Sequence, residues 1–380
     1  MGLEIIVIFV EINQYVVMKS IMRLFVSLVL LSVCSCMYAQ QEVRNVIYMI
    51  GDGMGLAHMS MFEIESGYAD NAFKRAERVA LVSTMSANNR VTDSAAAGTA
   101  LSSGEKTNNA MIGVRPDGTA MTSMMEMAVE KGFATGIVVT SELYHATPAA
   151  FYAHQPSRKM FKEIASDMLE SDIDVLIGGG DLVLKQPVDD RSYLDHFAQK
   201  DYVVAHDMET LENVESGKVI AVLSEKSMPA AVERGDYLPS AVSAALKILE
   251  NNSKGNDKGF MLMVEGSKID GAAHSNKADD LLAETADFEK AVGLAMDYAD
   301  AHPGTLVVVV ADHETGGLTM PSGNSDFTSS ESGLLYKFST GSHTGIRVPA
   351  YLYGAGIEGF KAMMDNTEVA RSIMDAADLR

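Results

Sequence analysis

The sequence is poor in cysteine, and this shortage limits the kinds of site it can build. The only cysteines in the 380-residue chain are Cys34 and Cys36, close to the N-terminus. A mature protein without that N-terminal segment would have no disulfides and no thiolate ligands. Any metal site must therefore rest on oxygen atoms and imidazole nitrogens.

Basic residues are also scarce. Lys and Arg total 30 against 51 Asp and Glu, which gives a net charge of −21. Nucleic acids and anionic lipids attract basic surfaces, so neither is an expected partner on the basis of charge. A small anionic substrate would be repelled as well, unless bound cations reverse the field locally.

The chain lacks an apolar run long enough to span a bilayer comfortably. The apolar stretch at residues 24–33 is short, and Lys19 and Arg23 precede it. A small residue follows at Ala39-Gln40, as in a cleaved secretory signal. Residues 1–39 are therefore predicted to be a signal segment, and the protein is expected to be exported, either periplasmic or secreted.

Two points at the N-terminus stay open. Translation could begin at Met18 or Met22, because the residues before Met18 add a second apolar run without an obvious use. The signal could also be that of a lipoprotein acylated at Cys34 or Cys36, and in that case alone the protein would be held at a membrane. An uncleaved anchor is the remaining alternative.

Strand-like and helix-like segments alternate along the rest of the chain. This pattern predicts an α/β fold with a mostly parallel central sheet sandwiched between helices. No internal repeat and no linker interrupts it, so residues 40–380 are predicted to be a single catalytic domain. The predicted strands are 43–50, 135–140, 173–180, 219–223, 259–266 and 305–312, and the predicted helices are 94–103, 158–169, 239–249 and 278–300.

Acidic residues and a histidine follow three of the most apolar predicted strands. Asp52 lies in IGDGMG, Glu265 ends MLMVEG, and Asp312-His313 follows LVVVVA. Ligands of open α/β sheets bind at the carboxyl ends of strands, so these side chains are candidate metal ligands. Taken alone, each could equally be a helix cap or a buried polar residue.

Further candidates lie outside the strands. Asp270 and His274 are four residues apart and could face one side of a helical turn. His343, in the polar segment GSHTG, would alone be interpreted as a surface residue. Asp93 and Ser94 precede an Ala/Gly-rich helix, where either would make a good N-cap. The same position offers free N–H groups to an oxyanion and makes Ser94 a candidate nucleophile.

In their order along the chain, these blocks resemble those of the alkaline phosphatases. The resemblance runs from about Val46 to Gly345 and includes VTDSAAAGTA, which is similar to the family's nucleophile motif. The block ELYHATPAAFYAHQPSRK adds His145, Thr147 and Arg158 at the family's internal spacing.

The resemblance implies a role for each residue. Ser94 would be phosphorylated during turnover, Arg158 would grip two phosphate oxygens, and Asp93 would position Arg158. Two zinc ions would clamp the attacking and leaving oxygens, and a third metal would lie beside them. The implied ligands are Asp270, His274 and His343 for the first zinc, Asp52, Asp312 and His313 for the second, and Asp52, Thr147 and Glu265, with His145 nearby, for the third metal, usually Mg²⁺.

Two positions depart from the family's bacterial archetype. His145 replaces an aspartate, so the third site could take Zn²⁺ or Co²⁺, or bind Mg²⁺ more weakly, because imidazole suits softer metals. Gly271 replaces a lysine, so no ammonium group would hold phosphate and product is expected to leave more readily. His145→Asp and Gly271→Lys test these expectations through metal response and phosphate inhibition.

The sequence is thus interpreted as an exported phosphate-monoester hydrolase whose substrates are small phosphomonoesters. One alternative is a phosphodiesterase or another metallo-hydrolase of the same superfamily. The other is a non-catalytic protein that binds metal or phosphate, although such a protein would not need Ser94. A homodimer is expected from the resemblance only.

Overall fold

The computed structural model describes residues 18–23, 25, 42–255, 258–323 and 335–380. Residues Glu42–Arg380 form one compact unit. The predicted cleavage point at Ala39-Gln40 and both cysteines lie outside the described residues. Within the described part of the chain, no helix combines the length and apolar character needed to cross a membrane.

The core of the molecule is a large sheet of ten strands among the described residues, in the order β16-β2-β15-β10-β1-β9-β3-β4-β8-β7. The seven strands from β10 to β7 are parallel, whereas β15 runs antiparallel to both its neighbours. The strands of this sheet are β1 (Asn45–Gly51), β2 (Arg78–Ser83), β3 (Ala134–Glu142), β4 (Val175–Gly179), β7 (Tyr202–Ala205), β8 (Lys218–Val222), β9 (Phe260–Gly266), β10 (Thr305–Val310), β15 (Val348–Gly354) and β16 (Met363–Asp365).

In the described part of the chain, six two-residue strands form three small ribbons outside the main sheet. One of them pairs the segment after Asp312-His313 with His343, so it brings two distant candidate ligands together. These strands are β5 (Pro187–Val188), β6 (Arg191–Ser192), β11 (Glu314–Thr315), β12 (Leu318–Thr319), β13 (Lys337–Phe338) and β14 (His343–Thr344).

Helices flank the sheet, and the longest two pack on each other and on the central strands. They are α1 (Leu56–Glu65), α2 (Ser94–Ser103), α3 (Met124–Glu130), α4 (Ala146–Ala149), α5 (Phe161–Glu170), α6 (Asp181–Leu184), α7 (Tyr193–Gln199), α8 (Met208–Glu212), α9 (Ala231–Arg234), α10 (Tyr237–Ser253), α11 (Lys268–His274), α12 (Ala278–Ala301) and α13 (Asn366–Ala376). Short 3₁₀ turns at Ala72–Arg75 and Ile357–Gly359 complete the described elements.

The predicted fold class is confirmed, and the predicted strands correspond to β1, β3, β4, β8, β9 and β10. Several predicted boundaries are shifted by a few residues. The helix expected from Arg158 begins only at Phe161, because Met160, with φ −82° and ψ 61°, leaves the helical region after a turn closed by the hydrogen bond from its N–H to the Ser157 carbonyl. The Arg158 N–H donates to the carbonyl of Ala110 at 2.7 Å. Arg158 is therefore held in a turn by a segment distant in sequence.

The small residues of α2 allow it to pack unusually close to its neighbour. Every residue from Ser94 to Ser102 is buried. A Cβ on Gly98 would lie 3.1 Å from the Cβ of Ala150, just beyond α4. Bulkier side chains here would push α2 away, and this close approach fixes the position of Ser94 at its N-terminus.

Candidate metal centre and nucleophile

Strand register brings three carboxylates to one edge of the sheet. In the β1 pairings, Ile50 lies opposite Glu265 of β9 and opposite Val310 of β10. Asp52 and Asp312 each follow two residues later, so the carboxylates meet at the carboxyl ends of adjacent parallel strands. All three side chains are buried.

His313 lies between two of these carboxylates. Its Nε2 is 3.1 Å from Asp312 Oδ2 and 3.5 Å from Asp52 Oδ1. Neither carboxylate oxygen has a hydrogen-bond partner among the described residues. Buried oxygens without partners are costly, and a cation bound between them and the imidazole would satisfy them.

A second group lies beside the first. On α11, His274 Nε2 is 3.2 Å from Asp270 Oδ2, as the spacing of four residues predicts. His343 reaches the same place from β14, with its Nε2 3.2 Å from that of His274 and 3.6 Å from Asp270 Oδ1. The rings of His343 and His313 stack with centroids 3.6 Å apart, so the two groups are contiguous.

A third group adjoins Asp52 on its other side. Asp52, His145 and Glu265 each present a ligand atom within 4.8 Å of the others. Thr147 Oγ1, Glu265 Oε1 and His145 Nδ1 are buried without hydrogen-bond partners in the described structure. The donor set of two carboxylates, a hydroxyl and an imidazole fits a divalent cation.

The hydroxyl of Ser94 points into the cluster. Its Oγ is 3.1 Å from His313 Nε2, and the side chain is buried at the first residue of α2. Asp93 caps this helix by accepting from the N–H of Ala96 at 3.0 Å. The N-cap and the candidate-nucleophile interpretations of this segment are therefore compatible, because Asp93 caps the helix and Ser94 faces the candidate ligands.

Arg158 contacts Asp93, the residue before Ser94. Its Nη1 donates to Asp93 Oδ2 at 3.2 Å, and its Nη2 lies 3.3 Å from His145 Nε2. Asp93 Oδ2 also accepts from the N–H of Ala110 at 3.0 Å, and Ala110 has a positive φ of 73°. One strained turn therefore orients both the aspartate and, through its carbonyl, the arginine.

The site is electrostatically incomplete without cations. Burial and the neighbouring Asp312 and Asp270 carboxylates raise the pKa of Asp52 well above its usual value. Burial, with a further contribution from Asp312, raises the pKa of Glu265 to about 8. Burial, reinforced by the charge of Arg158, lowers the pKa of His145 to about 4. A metal-free site would therefore favour protons on Asp52 and Glu265 that bound cations would displace.

Some residues that orient the site were not among the predicted ones. Thr315 and the Asn109-Ala110 turn contact candidate ligands or Asp93 directly. Thr315 lies two residues after His313 in the block DHETGG, which was the only available signal. Asn109 and Ala110 lie in no recognisable motif, and only the tertiary fold brings them to Asp93.

Comparison with known proteins agrees with this geometry. Residues 43–333 match the family described as alkaline phosphatase. Alkaline phosphatase 4 of Bacillus subtilis is 32% identical, covering 87% of this chain and 88% of its own length. The alkaline phosphatase of Escherichia coli K12 is 27% identical, covering 90% and 88%.

Solved structures agree as well. The alkaline phosphatase of the Antarctic bacterium TAB5 superposes with a TM-score of 0.82 at 35% identity, covering 90% of this chain and 100% of that one. A histidine-to-aspartate variant of the TAB5 enzyme has Mg bound in its M3 site. The chain therefore belongs to the alkaline phosphatase family and is a phosphoric monoester hydrolase.

Proposed function

We propose that this chain hydrolyses phosphate monoesters through a phosphorylated Ser94, at a site that holds two zinc ions and a third metal. The observation that carries the proposal is the position of Ser94 Oγ, 3.1 Å from His313 Nε2 inside a cluster of buried, unpartnered ligand atoms. A serine that only capped the helix would not need to lie among candidate metal ligands.

The three groups of side chains are proposed to be three metal sites. Imidazole and carboxylate ligands with an open position suit catalytic zinc. Asp52 lies beside ligands of both the second and the third group, and His313 lies beside ligands of both the first and the second. Ions bound in neighbouring groups would therefore lie close together. The proposed ligands are Asp270, His274 and His343 for the first zinc, Asp52, Asp312 and His313 for the second, and Asp52, His145, Thr147 and Glu265 for the third metal.

The identity of the third metal follows from its donors. Mg²⁺ prefers an octahedron of oxygen ligands, whereas His145 offers nitrogen. We therefore propose that Zn²⁺ or Co²⁺ competes with Mg²⁺ there. His145→Asp would shift the preference towards Mg²⁺, measured as metal content after dialysis against equal concentrations of the ions.

Ser94 is proposed to attack phosphorus from the N-terminus of α2. The helix dipole and the free N–H groups of its first turn favour the negative charge of a phosphate there. When bound, the zinc ions would supply Lewis acidity, lowering the pKa of the attacking hydroxyl and neutralising charge on the leaving oxygen. Ser94 then carries the phosphoryl group until water removes it.

Arg158 is proposed to select monoesters. Its guanidinium can donate to two phosphate oxygens in a bidentate way, and Asp93 holds it from the opposite side. A diester has lost one of these charged oxygens to a substituent. The alcohol portion of the substrate is not contacted in this scheme, so small phosphomonoesters of many alcohols are proposed as substrates.

Export is also a proposal, and it rests on the basic and apolar pattern of residues 19–33 together with Ala39-Gln40. Processing at Cys34 or Cys36 would instead give a lipid-anchored protein. The mass of the N-terminal peptide of the mature protein decides between cleavage at Ala39-Gln40 and lipid attachment at Cys34 or Cys36. A homodimer is proposed from the family resemblance, and sedimentation of the purified protein would test it.

The serine mechanism is tested with Ser94→Ala. The variant is expected to lose phosphate release almost completely while its zinc content stays at the wild-type level, because Ser94 is the nucleophile and not a proposed ligand. Ser103→Ala is the matched control, since its hydroxyl lies on the same helix and donates to the carbonyl of Thr99. Full activity of Ser94→Ala would reject the proposal.

Two further readouts separate the rival functions. Faster cleavage of a diester than of a monoester with the same leaving group would indicate a phosphodiesterase. Stoichiometric phosphate binding without turnover, in zinc-loaded wild-type protein, would indicate a binding protein.

A further inference from the structure

The side chain of Thr315 lies between the two proposed zinc sites. It is fully buried, and its Oγ1 donates a 2.6 Å hydrogen bond to Asp270 Oδ1. The same oxygen is 3.2 Å from Nδ1 of His313. One hydroxyl therefore contacts a proposed ligand of each zinc.

Donor and acceptor chemistry fixes the direction of both bonds. A metal-binding aspartate is ionised and can only accept, so the single hydroxyl proton of Thr315 goes to Asp270. The second bond must then run from a protonated Nδ1 of His313 to Oγ1 of Thr315. This leaves the lone pair of His313 on Nε2, the atom that faces Asp52, Asp312 and Ser94.

The other two histidines of the cluster are oriented differently. Nδ1 of His274 lies 2.8 Å from the carbonyl of Gly341, and Nδ1 of His343 lies 2.8 Å from the carbonyl of Thr92. In both cases backbone oxygen sets the tautomer, whereas for His313 a side chain does so. The orientation of His313 can therefore be altered by substitution.

The loop after β1 is shaped to admit this hydroxyl. Gly53 has a φ of +71°, and a Cβ on it would lie 2.8 Å from Thr315 Oγ1 and 2.9 Å from Asp270 Oδ1. Its N–H donates to Asp312 Oδ1 at 2.9 Å, and its carbonyl accepts from the N–H of Thr315 at 3.2 Å. The glycine thus leaves room for the contact and ties Thr315 to the second proposed site.

We infer that Thr315 is a positioning residue that presents Asp270 and His313 to the two zinc ions at once and keeps His313 in its Nε2-binding tautomer. The inference rests on the proposed metal sites and deepens them. Partners of this kind commonly change metal affinity by about 10–100-fold when removed.

Three variants test this role. Thr315→Val keeps the shape of the side chain and removes the hydroxyl, and Thr315→Ser keeps the hydroxyl. Thr285→Val is the matched control, because Thr285 is also fully buried and its hydroxyl donates to the carbonyl of Leu281 within its own helix. Each protein is freed of metal by chelation and titrated with Zn²⁺ against a chromophoric competitor, and then with Co²⁺ while the visible absorption of the bound ion is recorded.

Thr315→Val is expected to bind Zn²⁺ about 10–100-fold more weakly and to show an altered Co²⁺ spectrum. Thr315→Ser and Thr285→Val are expected to resemble the wild type in both respects. Equal Zn²⁺ affinity and unchanged Co²⁺ spectra in Thr315→Val would overturn the inference. So would a lower unfolding midpoint of its metal-free form with unaltered Zn²⁺ affinity, because that result indicates packing alone.

Thr315→Ala replaces Thr315→Val in both titrations if the valine variant does not fold. Phosphate release by the wild-type protein is measured in parallel and tests the hydrolase separately. Equal Zn²⁺ affinities across the Thr315 series would overturn the role of Thr315 even in a fully active enzyme.

Discussion

Gly271 illustrates how a single residue tunes the proposed site. It lies on α11 between Asp270 and His274, and the position of a Cβ on it has no described atom within 4 Å. A longer side chain therefore has room to extend from this position. By the family resemblance, a lysine here would bring an ammonium group close to bound phosphate.

Gly271→Lys is expected to strengthen inhibition by inorganic phosphate and to slow turnover wherever product release limits the rate. An added charge-assisted contact at a partly exposed site contributes about 1 kcal/mol, which is roughly a fivefold lower inhibition constant. The measurement is steady-state inhibition by phosphate. Gly271→Met, similar in length but uncharged, is the control, and equal inhibition constants for the two variants would contradict the electrostatic explanation.

At the scale of elements, an ion pair joins α3 to the segment that follows α4. His154 Nε2 lies 2.8 Å from Glu126 Oε1, and its Nδ1 lies 2.9 Å from the carbonyl of Gly113. Both ring nitrogens face acceptors, so the protonated form is favoured. The hydrogen bond to Glu126 raises the pKa of His154 to about 9, against the opposing effect of burial.

The pair predicts a defined pH dependence of stability. A raised folded-state pKa means that the stabilisation is complete below the unfolded value of about 6.5 and is lost as the pH rises through about 9. Glu126→Gln keeps the hydrogen bond to the N–H of Ser123 but removes the charge. Compared with this variant, the wild type is expected to lose about 1–3 kcal/mol more unfolding free energy between these pH values.

Urea unfolding at several pH values, with both proteins in the same metal state, measures this difference. Groups that titrate alike in both proteins contribute equally to the two unfolding free energies, so their contributions cancel in the difference. Parallel pH profiles for wild type and Glu126→Gln would show that the pair contributes nothing to stability.

Buried strands were easier to predict from the sequence than partly exposed strands. Strands β9 and β10 are buried along their whole length, and β1 is buried in all but its first residue, so the three stand out as apolar runs. Strand β2 was missed because its pattern is mostly exposed or half-buried, and the antiparallel β15 because half-buried residues interrupt it. The start of α5 was misplaced because Met160 has a non-helical ψ of 61°, which no local sequence pattern indicated.

The candidate site was predictable wherever a residue lies in a recognisable block. Spacing predicted the contact between Asp270 and His274, and the apolar strands predicted that Asp52, Glu265 and Asp312 would meet. Ala110 was not predicted because its partners Asp93 and Arg158 lie far away in the chain, and Thr315, although it lies in the block DHETGG, was not predicted because its contact with Asp270 joins residues 45 positions apart. Local patterns contain no information about such contacts.

At the scale of the whole molecule, the fold gathers negative charge at one place in a chain that is already strongly acidic. With a net charge of −21, the protein would repel a phosphate monoester. The buried carboxylates at the ends of β1, β9 and β10 add to that repulsion whenever they are ionised, unless cations neutralise them. The proposed metal ions would therefore be central both to substrate attraction and to the catalysis proposed for Ser94.

Anomalous diffraction at the zinc edge, from crystals of the protein grown with Zn²⁺, tests this claim most directly. We expect two strong peaks roughly 4 Å apart, one among Asp270, His274 and His343 and the other among Asp52, Asp312 and His313, with Ser94 Oγ beside the second. Ligand atoms should lie about 2.0–2.2 Å from each peak. The absence of zinc from either of these two groups, or a Ser94 hydroxyl turned away from both peaks, would contradict the account.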